Sequence, residues 1–554
     1  MSLHAQPLEP IPEQTARIAK ASFPKGTFAI QLRDALGPIY QDADFAALFP
    51  KRGRAATAPW RLALVTVLQA EETLSDRQAA EMVRARLDWK YALSLPLDDE
   101  GFDSTILGDF RQRLVDAEAQ DLLLEPILQV CEARGWLKAR GQQRTDSTLI
   151  LANIRQVNSL ETVGETLRAA LNELADEEPD WLLSVISPDW FDRYVHRFEL
   201  ARFPKSEQAQ KQLRQQVGED SWRLLQAVKG TEVPASVRDL PVLGVLHQVW
   251  DQHFERVDEQ VRWRDGPSVS NSERILSPYE TEARRSKKRS TQWDGYKVHL
   301  SETCDPQEAV HLIVQVQTTV ATRHDVQETL SIMQQLEEHE RAPEKMYVDS
   351  GYLSGPTVLG EQQQGRQLLG PIQYDTSWQQ HTGYGQTAFE LDWEQKQARC
   401  PQGQVSASWK ETHGNRGEES IQIGFAGRIC QACEGREKCT TASKGGRTLT
   451  VYPREIHEVL QQRRAEQSSA DFQKEYARRA GVESTMSEAV RSHGMRHSRY
   501  RGRDKTHLQM VTVAAAINLV RIASMLTRTQ KGLPPRKPRA PSPFARLRDL
   551  HRSA

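Results

Sequence analysis

The stretch "RTDSTLI", Arg144 to Ile150, decides how this chain is read. Extended to "TDSTLILANI", it is rich in β-branched and apolar residues and reads as a strand of a core sheet. A carboxylate, Asp146, stands at its mouth between hydroxyl side chains. Such an acid has two competing roles, a turn or helix-cap residue and a metal ligand. The surrounding sequence has to choose between them.

Upstream, residues from about 40 to 135 read as short helices. "PWRLALVTVLQAEE" starts with Pro59 and repeats apolar residues at helical spacing. "LSDRQAAEMVRARLDW" carries a capping box, Ser75 with Gln78, and Leu74 as a hydrophobic staple. Basic residues flank this bundle at Lys51, Arg52, Arg54, Arg77, Arg84 and Arg86. That pattern fits a DNA-reading helical domain and a plain packing domain equally well.

Downstream of the motif lies an acidic helical stretch. Residues 157–260 hold 11 Lys/Arg against 19 Asp/Glu and show no cluster assignable to chemistry, so they read as an inserted subdomain. Then "WDGYKVHLSET" (Trp293–Thr303) alternates as a half-buried strand, and "AVHLIVQVQTTVA" reads as its neighbour. Helix "HDVQETLSIMQQLEEH", strand "KMYVDSGYL" and the short strand "QLLGPI" follow. Strand, insertion, strand, strand, helix, strand, connection, strand is a mixed α/β core.

Two further acids stand in telling places. Asp349, in "YVDSGY", closes an apolar strand just ahead of Ser350-Gly351, where open α/β sheets place their ligands. Alone it reads as a turn former. Glu483 lies in the helical pattern "DFQKEYARRAGVESTMSEAVR", with Tyr476, Arg479 and Glu483 on one face. Alone it reads as half of a surface ion pair, worth a few tenths of a kcal/mol.

Taken together and in order, "TDST", "GYKVHL", "YVDSGY" and "YARRAGVE" resemble the bacterial insertion-sequence transposases of the Asp-Asp-Glu (DDE) superfamily. The Tyr-x-x-Arg-x-x-x-Glu signature is present as Tyr476, Arg479 and Glu483. Where that family often has a Lys seven residues after the Glu, this chain has Val490, with Arg491 next. The resemblance spans roughly residues 40–525. It implies a ribonuclease-H-like fold, and Asp146, Asp349 and Glu483 as catalytic carboxylates holding two Mg²⁺ (or Mn²⁺) ions. It implies double-stranded DNA as partner, both terminal inverted repeats and target, and a homodimer on that DNA. Tyr476, Arg479, Arg491 and Lys297 are the expected DNA contacts. The residue types suit the chemistry. Three neighbouring carboxylates cannot all stay ionised unaided. Mg²⁺ takes hard oxygen ligands, one or two carboxylates each. Two such ions can activate an attacking oxygen and stabilise a leaving one.

The cysteines carry a separate signal. Cys400, Cys430, Cys433 and Cys439 are spaced C-x29-C-x2-C-x5-C, the pattern of a structural zinc site in a ribbon. Packing thiols are the plain alternative.

Composition bounds the rest. A chain of 554 residues exceeds one core. The net charge of −1 conceals a basic end, with 15 Lys/Arg against 3 Asp/Glu from Ser484 to Ala554. Such an end suits an anionic partner and salt-sensitive binding. The N-terminus lacks an apolar signal region, and no run of about 20 apolar residues suggests a membrane span. The expected location is cytoplasmic, at the nucleoid. No Ser/His/Asp arrangement and no Gly-x-x-x-x-Gly-Lys phosphate loop stands out.

The expected layout is an α/β catalytic core of 138–156, 266–375 and 465–525. Around it stand an N-terminal segment (1–39), a helical DNA-binding domain (40–137), the acidic helical insertion (157–265), the zinc-ribbon insertion (385–450) and a basic disordered tail (526–554). The expected function is metal-dependent cleavage of insertion-sequence ends and their joining to target DNA. The alternatives are a non-catalytic DNA-binding regulator of transposase ancestry and a two-metal nuclease without strand joining.

Overall fold

Residues 142–151 do form a core strand. The computed structural model describes residues 2–3, 8–155, 157–266, 268–374, 377–414 and 417–533. In it Gln142–Leu151 (β1) lies inside a six-stranded mixed sheet with Arg284–Lys288 (β2), Thr291–Thr303 (β3), Ile313–Val320 (β4), Lys345–Tyr347 (β5) and Gln367–Leu369 (β6). β3 runs antiparallel to β1, and β4 and the short β2 pair antiparallel along β3. On the other side β5 and β6 run parallel to β1. The order across the sheet is β4–β3–β1–β5–β6. Parallel neighbours need crossovers. Helices Asp325–Glu338 and Gly355–Gln363 lead into β5 and β6. This is the mixed α/β core expected from the strand order.

The structure changes two readings of the sheet. Asp146 is not at a strand end but inside β1, opposite Leu300 of β3. What ends there is its parallel neighbour: Arg144 is the last β1 residue paired with β5, opposite Tyr347. β3 was expected to be half-buried, yet from Trp293 to Thr303 every residue except Lys297 is buried. The cause is that β3 lies between β1 and β4, and its polar side chains have buried partners. His299 meets the Tyr352 hydroxyl at 2.7 Å, and Ser301 meets that of Thr145 at 2.8 Å.

The helical N-terminal part begins earlier than residue 40. Helices Glu13–Ser22 and Phe28–Leu36 precede it. Thr27 caps the second, and Gly37, at φ 71°, ends it. The Ser75–Gln78 capping box is formed. Helix Pro59–Glu71 (α1) is apolar nearly all round and is buried accordingly. It packs on the long helix Arg503–Gln530 (α4), whose Ala514, Ala515, Ala516 and Ile517 are fully buried. Through α4 the N-terminal helices and the sheet share one apolar cluster. By length and composition α4 could cross a membrane, but most of its apolar window is buried in this core. Helix α4 also extends the folded region to Gln530, into the expected tail. The tail beyond 533 lies outside the described residues.

Two units have apolar cores of their own. Residues 160–275 fold as helices plus the hairpin Phe254–Val257/Gln260–Trp263 around Val163, Trp190, Val217 and Trp250. Residues 384–451 carry small sheets around Phe389, Ile423, Phe425 and Leu449. The chain then returns through helices Arg454–Glu466 and Ala470–Tyr476 to Ala480–Ser492 (α3), which packs on β1.

Candidate active site

The sheet brings the first two acids together by register. Arg144 faces Tyr347 across the parallel pair, and Asp146 and Asp349 each lie two residues further on. Asp349 caps a short 3₁₀ turn, Ser350–Tyr352, its Oδ1 accepting the Gly351 amide at 2.8 Å. Asp349 is therefore a turn former as well as a site acid, and the two readings are compatible. A Cβ at Gly351 would lie 2.9 Å from Asp349 Oδ1 and 3.4 Å from Asp325 Oδ2, so glycine there leaves room for both carboxylates beside the turn.

The third acid arrives on α3. The expected single helix is broken, because Ala477–Arg479 forms a 3₁₀ turn between Ala470–Tyr476 and α3. Arg479 still joins the acids. Its Nη2 donates to Asp146 Oδ2 at 2.7 Å and its Nη1 to Glu483 Oε1 at 3.0 Å. Arg479 and Asp146 side chains are each 15% exposed, whereas Glu483 is 64% exposed and open to solvent. Burial pushes the Asp146 carboxyl above its ordinary value and the charge of Asp349 adds to this, despite Arg479 and the Ser147 amide. Arg479 is held charged, with Asp146 and Asp349 outweighing the cost of its burial.

Sequence reading missed a fourth acid here. Asp325, the first residue of Asp325–Glu338 (α2), accepts Lys297 Nζ at 2.8 Å and the Ser147 hydroxyl at 3.3 Å. It lies in "HDVQETLSIMQQLEEH", which read only as a helix. Lys297 also donates to the Arg323 carbonyl, so this expected DNA contact is tied down in the site. Beneath the acids the buried Tyr352 hydroxyl bonds His299, whose pKa burial lowers to about 4, leaving a neutral floor.

The other expected residues are placed as follows. Tyr476 donates its hydroxyl to the Val348 carbonyl at 3.1 Å, bracing the residue before Asp349. Arg491 is exposed in the last turn of α3. The basic stretch 491–505 runs along the end of β1, where the Leu151 amide bonds the Arg496 carbonyl and Ser498 N bonds the Leu151 carbonyl. From there Arg499 donates to the carbonyls of Leu74 and Thr73 in the N-terminal helical region.

Residues 399–523 match the family described as Transposase DDE domain, and residues 17–113 match that described as Transposase domain (DUF772). Both matches are to transposase families, and together they support an insertion-sequence DDE transposase. The matched DDE span includes Arg479 and Glu483 of this chain, together with its four clustered cysteines. No curated protein and no solved structure matches the chain.

Whether a metal suits these acids turns on their oxygens. Asp146 and Asp349 offer hard carboxylate donors side by side, one partly uncompensated in a buried place, which suits Mg²⁺ or Mn²⁺. Among the described residues no group of three or more His, Cys, Asp or Glu side chains is placed to hold a metal ion. An open site is what Mg²⁺ uses, because waters and substrate phosphate complete its shell. Cys400, Cys430, Cys433 and Cys439 all line one small cavity with Tyr384, Phe389 and Phe425. Burial raises the Cys439 thiol, and the other three thiols add to the shift. The four cysteines thus share one neighbourhood and are soft donors of the kind Zn²⁺ takes, but among the described residues no three of them are placed to hold an ion.

Proposed function

We propose that this transposase cuts the ends of its insertion sequence and joins them to target DNA in the bacterial cytoplasm. Asp146, Asp349 and Glu483 act as the metal-holding carboxylates on a ribonuclease-H-like core. The observation that carries the reading is the level of Asp146 with Asp349 beyond the parallel pair, with Arg479 bridging Asp146 to Glu483. The order of three antiparallel strands continued by two parallel ones supports the ribonuclease-H-like reading.

Two divalent ions held there would activate the attacking oxygen, first of water and then of the freed 3′-OH, and stabilise the leaving one. The chain's own groups do the rest. Arg479 neutralises Asp146 and Glu483 until DNA arrives, and its guanidinium is then available to a phosphate, which it can bind through two N–H groups. Lys297, held by Asp325, keeps a second cation beside the carboxylates. The exposed Arg491 contacts the duplex backbone, and such contacts position DNA without reading sequence. Tyr476 contributes by bracing Val348. The protein works as a homodimer on its inverted repeats. Cys400, Cys430, Cys433 and Cys439 hold a structural zinc ion that staples residues 384–451, a unit with a small apolar core.

The test incubates the protein with Mg²⁺, labelled element-end DNA and a target plasmid. Joined products support the proposal. Cleavage without joining makes the protein a nuclease, and binding without cleavage makes it a regulator.

A further inference from the structure

Glu302 is the most deeply buried carboxylate near the site, with its side chain 0% exposed, and no step above uses it. It sits on β3 and collects partners from three other elements. Arg144 of β1 donates Nε to Glu302 Oε1 at 2.7 Å. Arg521 of α4 donates Nη1 to Oε2 at 2.9 Å. Thr485 of α3 donates its hydroxyl to the same Oε2 at 2.6 Å and accepts Arg521 Nη2 at 2.7 Å. Burial alone would protonate Glu302, but Arg521 and Arg144 outweigh it and hold the acid below its ordinary range.

The places of these partners in the chain give the network its meaning. Arg144 is two residues before Asp146, and its Nη1 also donates to the Arg478 carbonyl at 2.8 Å, the residue before Arg479. Thr485 is two residues after Glu483. A Cβ on Gly481 would overlap the Arg144 guanidinium, so glycine there lets α3 settle on that side chain. A buried ion network gains little stability over an apolar replacement, and its best-attested use is to fix register. Here the register in question is that of α3 on β1, which sets Glu483 and Arg479 against Asp146.

We propose that Glu302 is a positioning residue for strand cleavage: through Arg144, Thr485 and Arg521 it locks the helix of Glu483 onto the strand of Asp146. The inference rests on the catalytic reading of Asp146 and Glu483. A helix that slips by about 1 Å costs on the order of 10²-fold in rate when it carries a reacting group.

Thr485→Val removes the hydroxyl at nearly constant shape, Thr485→Ser keeps it, and Glu302→Gln removes the charge. The full-length variants are compared in single-turnover cleavage of element-end DNA at saturating DNA, in DNA affinity, and in amide exchange. Thr485→Val and Glu302→Gln should lose cleavage on the order of 10²-fold at unchanged DNA affinity. Amide exchange should speed up within 480–492 in both, and Thr485→Ser should behave as wild type. Should Glu302→Gln fail to fold, Thr485→Val against Thr485→Ser decides alone. Wild-type cleavage by Thr485→Val, or faster exchange spread over the whole sheet, would overturn the proposal. Glu483→Gln and Asp146→Asn run in parallel. Wild-type cleavage by those two would sink the catalytic reading itself, a different failure read on different proteins.

Discussion

Single residues carry the chemistry, and Asp349 shows how a local role and a site role coexist. One of its oxygens builds the turn through the Gly351 amide. Asn in its place can build the same turn but offers no carboxylate. Asp349→Asn should therefore fold and bind DNA as before while losing cleavage by on the order of 10³-fold or more, measured on labelled element ends beside a gel-shift assay. Asp146 makes a different prediction, about stability. Burial raises its carboxyl, so the folded chain holds that proton more tightly than the unfolded chain does. The stabilisation is complete below the unfolded pKa and is lost as pH rises through the folded one. Asp146→Asn escapes this loss, so its Tm should exceed that of the parent at pH 7, with the gap closing toward acid. Mg²⁺ at ten times its dissociation constant should stabilise the parent by about 1.4 kcal/mol and the variant far less. A variant that melts below the parent at pH 7 would mean that the ion pair with Arg479 outweighs the burial of Asp146. The sequence singled out Asp146, Asp349 and Glu483 only through the family resemblance of their short strings, and the fold sets Asp146 level with Asp349, with Arg479 bridging Asp146 to Glu483. Asp325 and Glu302 were not singled out, because their partners lie far off in the chain: Ser147 and Lys297 for one, Arg144, Thr485 and Arg521 for the other.

At the scale of elements, strand and helix identities were readable and their surroundings were not. The alternation in "WDGYKVHLSET" is real, but alternation reports polarity rather than exposure. The polar face of β3 is covered and satisfied from within. Helix α4 has the same lesson in reverse, since its polar Asn518 is fully buried. Asn518 Oδ1 accepts the Ile313 amide and its Nδ2 donates to the Ile313 carbonyl, both at 2.8 Å. The side chain thereby closes the exposed edge of β4 as another strand would. Asn518→Leu leaves both Ile313 groups buried and unpaired, at about 1–3 kcal/mol each. Urea unfolding should show a loss of about 2–6 kcal/mol, assuming the two costs add. A loss under about 1 kcal/mol would mean that water reaches this edge and that α4 does not close it. The break at Ala477–Arg479 was equally hidden, because the residues on both sides have good helical patterns. The contacts at the break are tertiary: Arg144 donates to the Arg478 carbonyl, and the Arg478 guanidinium donates to the Gln142 side-chain oxygen.

Across the whole molecule, two insertions lengthen the chain between the acids without disturbing the sheet that holds them. Each can do so because each buries an apolar cluster of its own. The clusters differ in strength. That of residues 160–275 is built on long helices and several aromatic side chains, including Trp190, Trp250 and Phe254. That of residues 384–451 is built on strands of three to six residues and four cysteines that share one cavity. On the proposed reading a unit so small depends on a zinc staple, since a structural zinc ion contributes on the order of 10 kcal/mol to such folds. Metal analysis of the purified full-length chain should return one zinc per chain, and Cys433→Ser should lower that content. Removing zinc with a chelator should open the 385–450 region first, so that limited proteolysis cuts there while the sheet and α4 stay intact. Because residues 454–476 lead directly from this unit to α3, the opened unit should also loosen the approach of Glu483, and cleavage of element-end DNA should fall with zinc content. A chain that holds no zinc, and whose proteolysis is unchanged by the chelator, would make the four thiols simple packing residues of a ribbon that folds without a metal.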